Sequence, residues 1–195
     1  FLIGIAAIVI VVGGFLGYKN FISEPNEIKA AEALFKGEQY FGNSSYEIAL
    51  NGDSLGYEGF LKVADEFSGT DAGELANAYA GICYAQLGQY ENAVKYLDKF
   101  SADDQLVSPA LMGTMGNCYA QLGQLEKAAA TLMKAASKAD SHALSPIYLI
   151  QAGQIYEKLG KNSEAVAAYK TVKEKYFNSY QAMEIDKYIE RASIK

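Results

Sequence analysis

Apolar and polar positions divide the chain into three regions. Residues 1–17 contain no charged or strongly polar side chain, a pattern typical of a helix with apolar surroundings on every side. The long middle region carries small and aromatic residues at spacings of three to five, and this pattern recurs after 35 and then 37 residues. Residues 179–192 have the spacing of an amphipathic helix, with one face formed by Ala182, Ile185, Ile189 and Ala192. The pattern predicts an all-α chain.

The recurring unit has four matched positions in three copies. Each copy has a glycine in a first helix, a tyrosine three residues later, a second glycine where the helix ends, and an alanine in a second helix. The small residues let the two helices approach closely, which predicts stacked helical hairpins. The matched residues are Gly81, Tyr84, Gly88 and Ala93; Gly116, Tyr119, Gly123 and Ala128; and Gly153, Tyr156, Gly160 and Ala165.

An earlier copy lies upstream, where Gly37 to Ala49 aligns with Gly81 to Ala93 without a gap. It begins 44 residues before the next copy, which leaves a surplus around the turn-forming residues 51–56. We interpret this surplus as a loop that interrupts a second helix, which resumes near Tyr57. The hairpins are predicted at residues 28–68, 74–106, 109–142 and 146–177, within a repeat region of residues 28–178. A linker at residues 20–27 precedes them, and a capping helix at residues 179–195 follows.

The pattern Gly-x-x-Tyr-x-x-x-Gly-x-x-x-x-Ala resembles the tetratricopeptide repeat, a helix–turn–helix unit of about 34 residues. The usual tryptophan is absent from the sequence, and Asn77, Met112 and Leu149 stand in its place, so the repeats are divergent. The resemblance implies a solenoid of about four hairpins. It also implies a non-catalytic protein that binds other chains along an extended surface.

The same resemblance implies that the first helices line a concave protein-binding groove. Its predicted residues form a mixed, mostly uncharged set: Ile82, Gln86, Asn117, Gln121, Gln154, Glu157 and Lys158. The alternative is that these polar side chains only keep the surface soluble. Some repeat-containing cochaperones clamp a partner's C-terminal carboxylate, but Gly113 and Ile150 stand here where the clamp lysine would be. A clamp of that type is not expected.

Residues 1–19 are predicted to be a single membrane anchor. Seventeen apolar residues span roughly 25 Å as a helix, close to the lower limit for a bilayer core of about 30 Å. Tyr18 and Lys19 then provide an interfacial aromatic side chain and a charge. Gly13 and Gly17 have the small-xxx-small spacing that lets membrane helices pack closely, although glycine is common in such helices.

Other interpretations of the apolar segment fit less well. A cleaved signal peptide would be missing from a mature chain, and a buried core helix would have no polar face for solvent. Type IV pilins begin with a similar segment, but they have a glutamate at the fifth position, where this chain has Ile5. The repeats do not fit a pilin either.

The chain is acidic, with 17 basic and 23 acidic side chains and a net charge of -6. Nucleic acid is not an expected partner, because phosphates require a basic surface. An acidic body behind a sparse basic flank favours export of the repeat region, with the anchor in the inner membrane.

The sequence predicts no catalytic, cofactor-binding or metal-binding residues. Cys83 and Cys118 occupy equivalent repeat positions, which should lie roughly 10 Å apart, too far for a disulfide. They are predicted to be free, buried thiols. His142 is predicted to be a solvated loop residue, and Asp103 and Asp104 to be solvated carboxylates between hairpins. An enzyme is therefore not expected, nor is a small-molecule substrate.

The anchor, the short linker and the acidic repeat body together resemble the YfgM family of envelope proteins, and residues 76–84 also resemble repeat proteins from Bacteroidota. The resemblance implies a single-pass inner-membrane protein with its repeats in the periplasm. It would be an accessory subunit of the SecYEG translocon that contacts a PpiD-like chaperone or emerging secreted chains. The alternatives are a scaffold for outer-membrane assembly, secretion or division, or an adaptor that faces the cytoplasm.

Overall fold

The computed structural model describes residues 24–194, and these residues form α-helices joined by short connections. The all-α prediction is confirmed for this part of the chain, in which no strand occurs. None of its helices is both long enough and apolar enough to cross a membrane. The predicted anchor at residues 1–19, with Gly13 and Gly17, lies outside the described residues and stays a prediction.

The chain divides into two compact units after Cys83. The helices of the first unit, residues 24–83, are α1 (Glu24–Gly42), α2 (Tyr46–Asn51), α3 (Phe60–Glu66) and α4 (Asp71–Gln86), whose last turn extends into the second unit. The second unit, residues 84–194, contains α5 (Tyr90–Leu97), α6 (Val107–Gln121), α7 (Leu125–Ala139), α8 (Ser145–Lys158) and α9 (Asn162–Lys175). A 3-10 helix (Tyr180–Glu184) and α10 (Ile185–Ile194) complete it.

Residues 24–27 are helical as part of α1, whereas the sequence predicts a linker there. Two carboxylates, Glu24 and Glu27, lie in the first turn, where the helix dipole favours negative charge. Proline is also tolerated at the start of a helix, because its missing N–H needs no partner there. Pro25 therefore does not exclude this segment from the helix.

The core of the first unit forms where α1 packs on α2 and α3. A Cβ atom at Gly37 would lie 2.7 Å from the Cζ atom of Phe60, so only glycine fits between the two helices. Phe60 is fully buried and stacks on Tyr79 with ring centroids 5.0 Å apart. The hydroxyl group of Tyr79 donates a hydrogen bond of 2.9 Å to Glu38, which connects α4 to α1.

The predicted interruption of the first hairpin is present, but it is longer than expected. Helix α2 ends at Asn51 and the chain becomes helical again only at Phe60, rather than near Tyr57. The Oδ1 atom of Asp53 accepts the N–H groups of Leu55 at 2.7 Å and Tyr57 at 3.0 Å, and its Oδ2 atom accepts the hydroxyl group of Tyr40. These hydrogen bonds hold Tyr57 outside the helix and delay the restart.

The second unit is built from helices that pack on their neighbours in chain order, from α5 to α10. A Cβ atom at Gly116 would lie 2.7 Å from Leu132 of α7, and one at Gly153 would lie 2.6 Å from the ring of Tyr169 in α9. The predicted close approach of paired helices is confirmed at both glycines. Helix-ending glycines are also confirmed, with φ angles of 73° at Gly123 and 70° at Gly160.

The C-terminal region differs from the single amphipathic helix predicted for residues 179–195. The hydroxyl group of Ser179 accepts the N–H of Ala182 at 3.2 Å, and residues 180–184 form a 3-10 helix. Helix α10 begins only at Ile185 and packs on α9, with Ile185 and Ala192 buried as expected.

Candidate protein-binding cleft

The second unit contains a cleft of about 630 Å³ that is lined by side chains of α6, α8 and α10. In this unit, the first helix of each hairpin also packs on the second helix of the preceding hairpin, as α8 packs on α7. Helix α10 packs on α9 in the same way, so α10 occupies the position of the first helix of a further hairpin. Residues from three first-helix positions therefore meet in one cleft. They are Asn117, Ala120, Gln151, Gln154, Ile155, Glu157, Lys158 and Arg191.

The structure brings together four of the seven predicted groove residues: Asn117, Gln154, Glu157 and Lys158. Gln121 is exposed at the end of α6 but does not line the cleft. Ile82 and Gln86 do not line the cleft either. Both residues belong to α4, and Ile82 is part of the first unit.

The sequence pattern did not identify four of the eight residues that line the cleft. Ala120 and Gln151 lie three residues from Asn117 and Gln154, so the helical spacing could have identified them. Arg191 carries no such signal, because it reaches the cleft only through the packing of α10.

Glu157 is a structural residue rather than a free binding group. Its side chain is 7% exposed, and it accepts hydrogen bonds from Arg191 Nε at 3.0 Å and Arg191 Nη2 at 2.6 Å. The hydroxyl group of Tyr169 donates to the same carboxylate at 2.7 Å. Burial and this hydrogen bond raise the pKa of Tyr169 above its usual range, so its hydroxyl group remains a donor. Glu157 therefore lines the cleft with a carboxylate that Arg191 and Tyr169 already occupy, and its part in binding stays a prediction.

The remaining polar side chains of the cleft suit a polypeptide main chain. Asn117 and Gln154 are exposed, and the Oε1 atom of Gln151 is buried without a hydrogen-bond partner in the described part of the chain. Side-chain amides both donate and accept hydrogen bonds, as backbone peptide groups do. Lys158 is exposed and forms no ion pair with a described residue. Because Arg191 neutralises Glu157, the cleft has a weak positive charge.

A second cleft of about 390 Å³ lies between α5, α6 and α7 of the same unit, with Leu111, Met112 and Met115 in its lining. The two carboxylates beside it have structural partners. Asp103 pairs with Lys138, and Asp104 accepts the N–H groups of Leu106 at 2.7 Å and Ser108 at 3.0 Å at the start of α6. Their arrangement stabilises the connection before α6.

The remaining candidates for chemistry are unreactive or isolated. Both thiols are buried and unpaired, and burial raises the pKa of Cys83 to about 12, so this sulfur is not a nucleophile at neutral pH. His142 is exposed in its loop, and its ring packs edge-on against the ring of Tyr176 with centroids 5.4 Å apart. In residues 24–194, no group of three or more His, Cys, Asp or Glu side chains is arranged to hold a metal ion.

Comparison with known families finds tetratricopeptide repeats at residues 79–104, 110–137 and 147–174. No protein of the curated collections matches the chain. The resemblance to tetratricopeptide repeats is therefore confirmed for these three segments. Repeats of this kind form scaffolds for protein–protein interaction and are typically non-catalytic.

Proposed function

We propose that this chain is a membrane-anchored, non-catalytic scaffold that binds an extended segment of another protein in the cleft between α6, α8 and α10. The observation that carries this proposal is the lining of side-chain amides, among which Gln151 has a buried acceptor without a partner. A bound main chain supplies N–H donors at this depth, and the exposed Lys158 would favour a segment that is neutral or acidic.

The positions that would hold a carboxylate-clamp lysine support the choice of an internal segment over a chain terminus. A Cβ atom at Gly113 would lie 3.0 Å from the ring of Tyr148, and Ile150 is half-buried. Neither position has room or exposure for a lysine that reaches into the cleft.

At a finer level, we propose an accessory subunit of the Sec translocon that contacts a PpiD-like chaperone or emerging secreted chains from the periplasmic side. This assignment is supported by the apolar residues 1–17, the short segment before the repeats and the acidic composition. The anchor would place the repeats beside the membrane, where secreted chains emerge.

Purification of the chain from native membranes in mild detergent, followed by mass spectrometry, tests this proposal. We expect SecY and a PpiD-like chaperone to co-purify. The combined variant Asn117→Ala, Gln154→Ala and Lys158→Ala should lower the recovery of the chaperone or of secreted chains, because it removes the exposed polar lining. Gln121→Ala is the matched control, since Gln121 is an exposed amide of α6 outside the cleft.

Other outcomes distinguish the alternatives. Recovery of a different envelope complex, sensitive to the cleft variant, would contradict the translocon assignment and support a scaffold for outer-membrane assembly, secretion or division. Protease treatment of spheroplasts separates both from an adaptor that faces the cytoplasm, because only repeats in the periplasm are cleaved before lysis.

A further inference from the structure

Helix α1 has an apolar stripe that the first unit does not cover. Ile28 is 62% exposed, Phe35 is 60% exposed, and the exposed Ala31 lies between them. These residues share one helix face through their spacing of three and four. The opposite face, with Ala30, Leu34 and Gly37, is buried, so α1 is already held in the unit without the stripe.

The charge around the stripe is predominantly negative. Residues 24–83 carry 11 acidic and 3 basic side chains, a net charge of -8, whereas residues 84–194 carry 12 of each. Glu24 and Glu32 are exposed: Glu24 lies one turn before Ile28, in line with the stripe at its N-terminal end, and Glu32 lies beside the stripe on one flank. Glu27 and Glu38 lie on the same helix, but they accept hydrogen bonds from the N–H of Asp71 and the hydroxyl group of Tyr79.

The two lysines of α1 do not make the surface around the stripe positively charged. Lys29 and Lys36 lie beyond Glu32 on one flank, and their spacing of seven residues puts them on the same side of the helix. On the other flank the charged side chains are Glu27 and Glu38, which are hydrogen-bonded within the unit. The exposed charged side chains nearest to the stripe are therefore the carboxylates of Glu24 and Glu32.

We propose that the stripe formed by Ile28, Ala31 and Phe35 is a docking surface for a positively charged amphipathic helix of a partner protein. Apolar residues of that helix would cover the stripe, and its Lys or Arg side chains would pair with Glu24 and Glu32. The negative charge disfavours an anionic lipid surface, and it disfavours a second copy of this chain because two such units repel each other. The surface is independent of the cleft in the second unit.

The test uses the full chain in mild non-ionic detergent and two synthetic helical peptides with the same leucine stripe. Lysines flank the stripe in one peptide and glutamates flank it in the other. Fluorescence anisotropy should show that the lysine peptide binds at least roughly tenfold more tightly, with an affinity that falls as salt is added. The combined variant Ile28→Ser and Phe35→Ser should weaken this binding roughly tenfold or more, because large apolar side chains at the centre of an interface carry most of its energy.

Matched controls separate the stripe from general surface hydrophobicity and from the cleft. Leu55→Ser removes another exposed apolar side chain of the same unit, and Gln154→Ala with Lys158→Ala alters the cleft; both should leave peptide affinity unchanged. Glu24→Gln with Glu32→Gln should weaken binding and its salt dependence while an unchanged circular dichroism spectrum reports intact folding.

Four results would overturn the proposal. The first two are the absence of lysine-peptide binding and equal binding of both peptides. The third is loss of binding in the cleft variant alone. The fourth is a stripe variant that changes only vesicle binding, or only dimerisation measured by sedimentation. Loss in the cleft variant alone would still agree with the proposed scaffold function, so the two proposals fail separately.

Discussion

At the scale of single residues, the close approach of paired helices depends on glycines that face large side chains. In α8, a Cβ atom at Gly153 would lie 2.6 Å from Cζ of Tyr169, a fully buried ring. The ring cannot move away easily, because its hydroxyl group is hydrogen-bonded to Glu157 within the same packed region. A well-packed interior tolerates little added volume.

We expect Gly153→Ala to lower the free energy of unfolding by about 1–3 kcal/mol, which is the usual cost of overpacking. Urea denaturation followed by circular dichroism measures this change. Gly42→Ala is the control, because its new Cβ atom would meet nothing within 4 Å at the end of α1. A Gly153→Ala protein as stable as the wild type would contradict the packing argument.

The buried thiol of Cys83 and the half-buried hydroxyl group of Tyr79 should make the stability of the first unit sensitive to high pH. Burial raises the pKa of Cys83 from 9.0 to about 12, and burial with the nearby Glu38 raises the pKa of Tyr79 from 10.0 to about 12. Unfolding restores the ordinary pKa values, so the unfolded chain loses these protons first. The stabilisation is therefore complete below pH 9 and is lost as the pH rises towards 12.

Urea midpoints at increasing pH test this expectation, and labelling with a thiol reagent at pH 8 should be far slower for the folded chain than for the unfolded chain. Cys83→Ala should reduce the pH dependence even if it lowers stability at neutral pH. A midpoint that stays constant from pH 8 to pH 11 would show that these groups are not protected by folding.

At the scale of elements, α10 is attached to the rest of the second unit by apolar packing and by two ion pairs, Lys173–Asp186 and Arg191–Glu157. Ile185 and Ala192 are buried on the side of α9, and Arg191 reaches back to Glu157 of α8. The pair is asymmetric, since Arg191 is 47% exposed while Glu157 is almost buried. Removing the arginine would take away the cation that pairs with this almost buried carboxylate.

We expect Arg191→Ala to lower the free energy of unfolding by about 1–2 kcal/mol, less than for a fully buried pair because the arginine is half exposed. Hydrogen exchange should show faster opening of α10 than in the wild type. Lys187→Ala is the control, since it removes an ion pair with Glu184 in which both side chains are exposed. Equal exchange in the two variants would exclude the anchoring role of Arg191.

At the scale of the whole molecule, the two units differ sharply in charge. The first unit has a net charge of -8, while the acidic and basic side chains of the second unit are equal in number. Repulsion among carboxylates lowers the stability of a compact unit, and salt screens that repulsion.

We expect added salt to slow amide hydrogen exchange in residues 24–83 and to change it little in residues 84–194. Mass spectrometry of peptide fragments at low and high sodium chloride measures both units in one sample. Replacing Glu47, Asp65 and Glu66 with Gln or Asn should reduce the salt response, because these carboxylates are exposed and uninvolved in the described ion pairs. A uniform response along the chain would indicate that the charge difference does not affect stability.

The sequence by itself determined the features that depend on neighbouring residues. The helical period, the glycines that end helices and the alanines between paired helices were predictable, because each reflects backbone conformation or contact within one hairpin. The repeated pattern made these signals stronger than any single residue could. It also predicted that Cys83 and Cys118 are buried, and both are.

Only the tertiary structure decided which side chains meet across hairpins. Glu157 lines the cleft, but its carboxylate pairs with Arg191, which lies 34 residues later in the chain. The hydrogen bonds of Asp53 likewise determine where α3 begins, and the packing of α1 leaves Ile28 and Phe35 uncovered. Contacts between distant residues have no fixed spacing in the sequence, so the partner of a charge or the open face of a helix becomes known only when the chain is folded.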